Sequence, residues 1–432
     1  MDTAEAQKKA VLAYRKGWKT APWMPISKMQ AYSARPKPVK GPLLVSNVTI
    51  PHPSPEEGEF LRSKLWDIYQ SRSEGVEKLD PPASCTDYKA EWIGFRNDIK
   101  DPKAPQPDGT DQGRFRDIEQ HTTNDVTLFY ISGGAWFRAG SPGSRPLIQQ
   151  LCQRSGSRAF TFQYRLVPQY TVPTLVLDTL VAYFYLIAPP PGSLHKPIDP
   201  KKLVLVGESG GAVLHLHLLQ FLQSLLRESE RAIITLNGRE IPIEMPRGCA
   251  FVCPGADFAL ALPSVEKFKH VDWLSEAAPW VQPGFPADKI WPADPPRGDL
   301  HCMPPMWIAC GEDTYSDGVK FLVRNLRASG VPVTFLQYEF MPHVWNVIIP
   351  ALPQSRHCMN LWGEACRTFG TEAHEQTSTA QFVKLGGLEM VPRDIDSLFD
   401  IPTDEVLKRM RAARDELTNF IWNGPGNGDS KL

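Results

Sequence analysis

From about Tyr88 onward, short apolar runs rich in Val, Ile, Phe and Tyr alternate with longer stretches in which apolar residues recur at helical spacing. The strand candidates are residues 92–95, 126–131, 158–164, 202–206, 249–253, 306–310 and 333–340. Helical stretches at 142–155, 173–188, 212–227 and 316–329 fall between most of them. Most of the short runs are apolar throughout rather than alternating, as strands covered on both faces should be. This rhythm predicts an α/β fold with a mostly parallel central sheet flanked by helices.

The flanks read differently. Residues 1–85 carry two weakly amphipathic stretches, near 10–29 and 57–79, separated by a Pro-rich segment at 36–55. They are expected to be an extension laid over a larger domain at 86–368. Within that domain, 258–303 is Pro- and Trp-rich without a clear strand and predicts an excursion above the sheet. Residues 353–369 predict one more core helix. Residues 369–432 form a C-terminal extension with an exposed, charge-laced helix at 404–420. Internal repeats are not evident.

Composition narrows the classes. The 432 residues include 47 basic and 48 acidic side chains, so there is no basic footprint for nucleic acid or an anionic membrane surface. Ten per cent aromatic residues and 12 Trp exclude a disordered chain. The 8 Cys form no C-x-x-C pair, and Cys249 and Cys253 sit in an apolar run that reads as a buried strand rather than a zinc site. Reduced thiols are expected. The N-terminus lacks the basic and apolar regions of a secretory signal. The best apolar stretch, 175–188, is too short to span a bilayer and contains Asp178. A soluble, intracellular protein without a transmembrane segment is expected.

Gly207-Glu208-Ser209-Gly210-Gly211 stands where the predicted strand 202–206 meets the predicted helix 212–227. That is the context a G-x-S-x-G nucleophile elbow requires. Ser209 needs a base and the base an orienting acid, in the chain order Ser, acid, His. His343 directly follows the strand 333–340. His215 and His217 lie on the helix behind the serine, and His270, His301, His357 and His374 follow no clear strand. Asp313 stands at the carboxyl end of strand 306–310, where active-site residues gather in open α/β sheets. Asp317, one turn later, and Asp257, after an earlier strand, are the alternatives. Ser132-Gly133-Gly134-Ala135-Trp136 follows strand 126–131, so the N–H groups of Gly133, Gly134 and Gly210 are the expected oxyanion-hole donors.

With these motifs in place, the chain resembles the hormone-sensitive-lipase-like group of α/β hydrolases, the carboxylesterases and lipases, from about residue 88 to 369. Ser132-Gly133-Gly134-Ala135-Trp136 stands where that group carries H-G-G-G-[FW], and Gly207–Gly211 where it carries G-D-S-A-G. Tyr164-Arg165-Leu166-Val167-Pro168, with Pro173 and Asp178, resembles its Y-R-L-A-P-E-x-x-x-P element. Residues 294–305 resemble its run before the next strand, 313–318 its D-P-L-x-D-[ED]-G, and Met341-Pro342-His343 the segment with the histidine. The resemblance implies an α/β-hydrolase fold with a cap built from the N-terminal extension and the insertion. It assigns Ser209 as nucleophile, His343 as base and Asp313 as acid, with Arg165 and Asp178 as scaffold. Ser132 and Ala135 depart from the pattern, which removes one side-chain support of the oxyanion loop.

The expected function is a serine esterase acting on a small-molecule or lipid ester through an acyl-enzyme, with no metal or organic cofactor. Thioester hydrolysis or acyl transfer by the same triad is the first alternative. The second is ligand binding without catalysis, as in the gibberellin receptors, which lack the histidine. Trp136, Phe137, Trp273, Trp280, Trp291 and Trp345 are candidate pocket walls. Ser430-Lys431-Leu432 matches the peroxisomal targeting tripeptide after a breaker-rich tail, which predicts recognition by the peroxisomal import receptor and a matrix location.

Overall fold

The computed structural model describes residues 3–19, 25–72, 81–107, 109–138, 140–257, 259–274, 300, 302–371 and 377–421. The C-terminal tripeptide, Trp280, Trp291, His301, His374 and most of the 294–305 run lie outside the described residues.

Twelve strands are present among the described residues. They are β1 (Leu43–Ile50), β2 (Tyr88–Phe95), β3 (Thr127–Ile131), β4 (Arg158–Phe162), β5 (Leu203–Glu208), β6 (Ile233–Leu236), β7 (Arg239–Pro242), β8 (Gly248–Val252), β9 (Met306–Cys310), β10 (Val333–Tyr338), β11 (Thr379–Val383) and β12 (Met390–Arg393). Ten of them form one sheet in the order β1-β2-β4-β3-β5-β8-β9-β10-β11-β12, and β6 and β7 make a separate hairpin. β4 through β11 run parallel within this sheet, while β2 is antiparallel to both β1 and β4 and β12 is antiparallel to β11.

The local chemistry explains the central elements. β3, β8 and β9 are buried at every residue, which is why their sequences show no alternation. The helix Val172–Ile187 is likewise buried along its whole length, so its unbroken apolar run serves the interior rather than a membrane. Among the described residues no helix is long and apolar enough to cross a membrane. The one carboxylate in that helix, Asp178, meets Arg165 Nη2 at 2.5 Å, the Arg165 backbone N–H at 2.9 Å and the Tyr88 hydroxyl at 2.8 Å. A buried carboxylate with that many donors is stabilising scaffold. None of the eight cysteines is in a disulfide.

Both flanks enter the sheet. Residues 43–50, within the expected extension, are edge strand β1, paired with β2 along all eight residues. β11 and β12, in the expected C-terminal extension, continue the opposite edge beyond β10. The helix Thr403–Ile421 is not wholly exposed: Val406 and Met410 pack with Leu262, Phe321 and Phe399 in a small second core. Arg324 secures the approach to it, donating to the carbonyls of Phe399 (3.1 Å) and Ile401 (2.7 Å).

Candidate active site

Ser209 follows β5 and precedes the helix Gly210–Glu228, with φ 52° and ψ −128°. A non-glycine residue rarely adopts that backbone, and such strain persists only where the surroundings impose it. Here β3 supplies the constraint. A Cβ at Gly207 would lie 2.8 Å from the Ile131 carbonyl oxygen, and one at Gly211 only 2.1 Å from it. Glycine at both positions lets the turn press against the end of β3 and leaves the Ser209 hydroxyl at the carboxyl edge of the sheet.

His343 comes from the loop after β10, and its Nε2 lies 2.8 Å from Ser209 Oγ. Its Nδ1 is 3.4 Å from Asp313 Oδ2, from the loop after β9. Both side chains are buried. The other candidate acids are engaged elsewhere. Asp317 accepts the Ser264 backbone N–H at 2.9 Å and meets Lys320 at 3.3 Å. Asp257 accepts the backbone N–H groups of Ala261 and Leu262 at 2.8 and 2.9 Å. Of the other histidines, His215 meets the Val206 carbonyl at 3.1 Å, His217 stacks on Tyr69, and His357 meets the Tyr338 hydroxyl at 3.0 Å. His270 packs edge-on to Phe340.

The oxyanion loop corrects one expectation. The Gly133 N–H donates to Glu208 Oε1 at 2.9 Å, so it is not a donor to substrate as its place in the motif suggested. Glu208 also accepts a hydrogen bond from the Tyr130 hydroxyl at 2.5 Å. Burial pushes the Glu208 carboxyl up to about 7, against the lowering effect of these two donors. The glutamate thus holds the loop from below. A Cβ at Gly133 would fall 2.6 Å from the Glu208 carbonyl oxygen and 2.8 Å from Ser209 Cβ, so the loop lies directly against the elbow. Gly134, Ala135 and Trp136 follow with φ of 105°, 49° and 59°. Among the described residues, the N–H groups of Gly134, Ala135 and Gly210 show no protein acceptor. Trp136 is buried and donates from Nε1 to the Gly210 carbonyl at 2.9 Å, so it braces the loop against the elbow rather than lining a pocket. Trp345 is buried too, and Phe137 nearly so.

Trp273, a candidate wall, and residues without an assigned role complete the surroundings. Trp273 donates from Nε1 to the His343 carbonyl at 2.9 Å. Trp18, on the helix Ala4–Lys19, stacks on Trp273 at 4.8 Å between ring centroids, and Tyr14 meets it edge-on at 6.3 Å. The Tyr315 ring centroid is 5.2 Å from that of His343. Asp272 accepts the His343 backbone N–H at 3.1 Å, and also the N–H and hydroxyl of Thr314 at 2.9 and 2.8 Å. Cys253 Sγ accepts the Val344 N–H at 3.4 Å, and burial holds its thiol well above the ordinary range. Among the described residues, Cys253, Asp313 and His343 are the one set of metal-capable donors within 4.8 Å of each other, and two of them are the candidate acid and base.

Residues 128–347 match a family model described as the alpha/beta hydrolase fold. The chain is 29% identical over 251 residues to an acetyl-hydrolase of Streptomyces hygroscopicus, covering 56% of this chain and 75% of the relative. It is 23% identical to the putative acetyl-hydrolase LipR of Mycobacterium tuberculosis, covering 55% and 71%. The fold matches a crystal structure of EstE5 soaked with p-nitrophenyl butyrate with a TM-score of 0.57 at 19% identity, over 85% of this chain and 99% of that one. An esterase from the bacterial hormone-sensitive lipase family matches with a TM-score of 0.55 at 19% identity, over 84% and 98%. The sheet order, the strained serine at the end of β5 and these likenesses agree: the chain belongs to the α/β hydrolase fold family, as an enzyme of its esterase and lipase type.

Proposed function

We propose that this enzyme hydrolyses carboxylic esters through a Ser209–His343–Asp313 triad and an acyl-enzyme. The carrying observation is the 2.8 Å contact between His343 Nε2 and Ser209 Oγ at a serine held with positive φ. His343 Nε2 accepts the hydroxyl proton as Ser209 Oγ attacks the ester carbonyl, and Asp313 stabilises the resulting imidazolium. The Gly134 and Gly210 N–H groups, with Ala135 next along the loop, hold the oxyanion. His343 then protonates the departing alcohol. In the second half, water attacks the acyl carbonyl as His343 removes its proton, and the acid is released with Ser209 restored.

The acetyl-hydrolase relatives support beginning with short acyl groups. Graded p-nitrophenyl esters from acetate upward, with matched acyl-thioesters, measure acyl length and leaving-group preference together. An organophosphonate should label Ser209, and Ser209→Ala should lose both labelling and hydrolysis. His343→Ala should lose nearly as much, since residues acting as a unit are not additive. Hydrolysis by Ser209→Ala at the wild-type rate would overturn the mechanism.

A further inference from the structure

We infer that Asp272 is a positioning residue for the triad: its buried carboxylate ties the loop carrying His343 to the loop carrying Asp313 and adds a second negative charge beside the imidazole. The inference rests on the esterase reading above. Asp272 lies just beyond the short helix Ser264–Phe268, outside the motifs that indicated the triad. Its two oxygens divide between the two loops. Oδ1 accepts the His343 backbone N–H, and Oδ2 accepts both donors of Thr314, the residue after Asp313. Asp313 Oδ1 is itself fixed by the Tyr315 N–H at 3.0 Å. The contact between His343 Nδ1 and Asp313 Oδ2 is long, at 3.4 Å. Orientation of that pair therefore depends on how the two backbones are held.

Alternative explanations of Asp272 fare worse. Asp272 Oδ1 does accept the Leu274 N–H two residues on, a local capping contact, but at 3.3 Å it is the longest of the four, and the shorter ones reach residues 42 and 71 positions away. A buried carboxylate is costly unless its donors repay desolvation. Donors do so here: the Leu274 N–H at 3.3 Å is local, and the three shorter contacts, at 2.8–3.1 Å, come from the two loops of the triad. Burial, and next the neighbouring Asp313 charge, push the Asp272 carboxyl upward, while a charge on His343 pulls it down.

Other groups face His343 as well. Asp313 contacts its ring, Glu208 lies at the elbow, Cys253 reaches it from the end of β8, and Tyr315 packs beside it. Asp257 acts at one remove, through Tyr315. Asp272→Asn leaves all of these in place. An asparagine keeps the size but can offer only one accepting oxygen, so it breaks one loop contact and removes the charge.

The test is the pH profile of kcat/KM, because neutral His343 is the base and activity falls as it becomes protonated. Removing a nearby negative charge should move that acid limb to lower pH, by about half a unit or more. kcat should also fall roughly ten- to a hundredfold through misalignment. A folded Asp272→Asn enzyme with the wild-type limb overturns the inference, whether or not kcat falls, because a purely structural residue would leave the limb in place. If Asp272→Asn does not fold, Thr314→Val decides. It should lower kcat by roughly threefold or more and be rescued by Thr314→Ser, and wild-type kcat in Thr314→Val overturns the proposal. Ser209→Ala run alongside separates the two readings: retained hydrolysis there defeats the esterase mechanism, whereas its loss with an unmoved Asp272→Asn limb defeats only the role of Asp272.

Discussion

At the scale of single residues, the site combines positions legible from local spacing with others that are not. Ser209 follows directly on β5, and Asp313 and His343 stand in the loops just after β9 and β10; strand ends are what apolar patterning locates best. Asp313→Asn should leave the fold intact yet lower kcat by several orders of magnitude, by favouring the wrong imidazole tautomer. Asp317→Asn should cost far less activity, because its bonds run to Ser264 and Lys320. Steady-state kinetics on the pair checks the assignment, and exchanged phenotypes would defeat it. Glu208 is the residue whose role changed most. Read as the variable position of G-x-S-x-G, it proves to hold the oxyanion loop through Gly133. Its carboxyl rises from an ordinary 4.5 to about 7, so the folded state prefers it protonated. The unfolded chain then releases its proton first, and stability is lost as pH rises from about 4.5 to about 7. Glu208→Gln keeps an acceptor for Gly133 and a donor for Tyr130. It should flatten that window and gain roughly 3 kcal/mol relative to wild type at pH 8 compared with pH 4. Denaturant melts of both proteins at the two pH values measure it, and parallel curves would refute it.

At the scale of elements, the helix Ala4–Lys19 joins distant parts of the molecule. Buried Gln7 accepts from Gln354 Nε2 at 2.7 Å and from the Gly386 N–H at 3.0 Å. The helix is thereby fixed against both the helix Pro353–Thr371 and the turn between β11 and β12. Its other end carries Tyr14 and Trp18 onto Trp273 above His343. Gln7→Ala strands the buried Gln354 amide and the half-buried Gly386 N–H, and should destabilise the protein by about 1–3 kcal/mol in denaturant unfolding. Because the same helix covers the site, the substitution should also raise KM more than it lowers kcat. An unchanged unfolding midpoint would show that the helix is held by other means. Weak amphipathic patterning marked this region as helical but was silent about where it docks. Its recognition depends on three aromatic rings brought together across more than 250 residues of chain.

At the scale of the whole molecule, the flanks finish the sheet. β1 shields the β2 edge, and β11 with β12 shields β10, so the long parallel core presents no bare central strand at either side. A chain cut after Thr371 should expose the β10 edge and aggregate, while retaining every residue of the proposed triad. Size-exclusion chromatography of that truncation checks it, and a monomeric, active product would show the C-terminal strands to be dispensable.

The sequence by itself determined the parallel α/β core, the seven central strands near their observed positions, and the three triad candidates. The physical reason is that burial on both faces, glycine at steric contacts and polar residues at strand ends all leave local marks. Tertiary structure alone decided the partners of those marks. β1 and β11 lie in the flanks and look like extension until a neighbouring strand satisfies their backbone groups. Gly133 looks like a free donor until the Glu208 carboxylate reaches it. Asp272 is an unremarked acid in a Trp- and Pro-rich segment until folding brings His343 and Thr314 to it. Each of these depends on a hydrogen bond or packing contact between residues far apart in the chain, and only the folded backbone specifies which donor meets which acceptor.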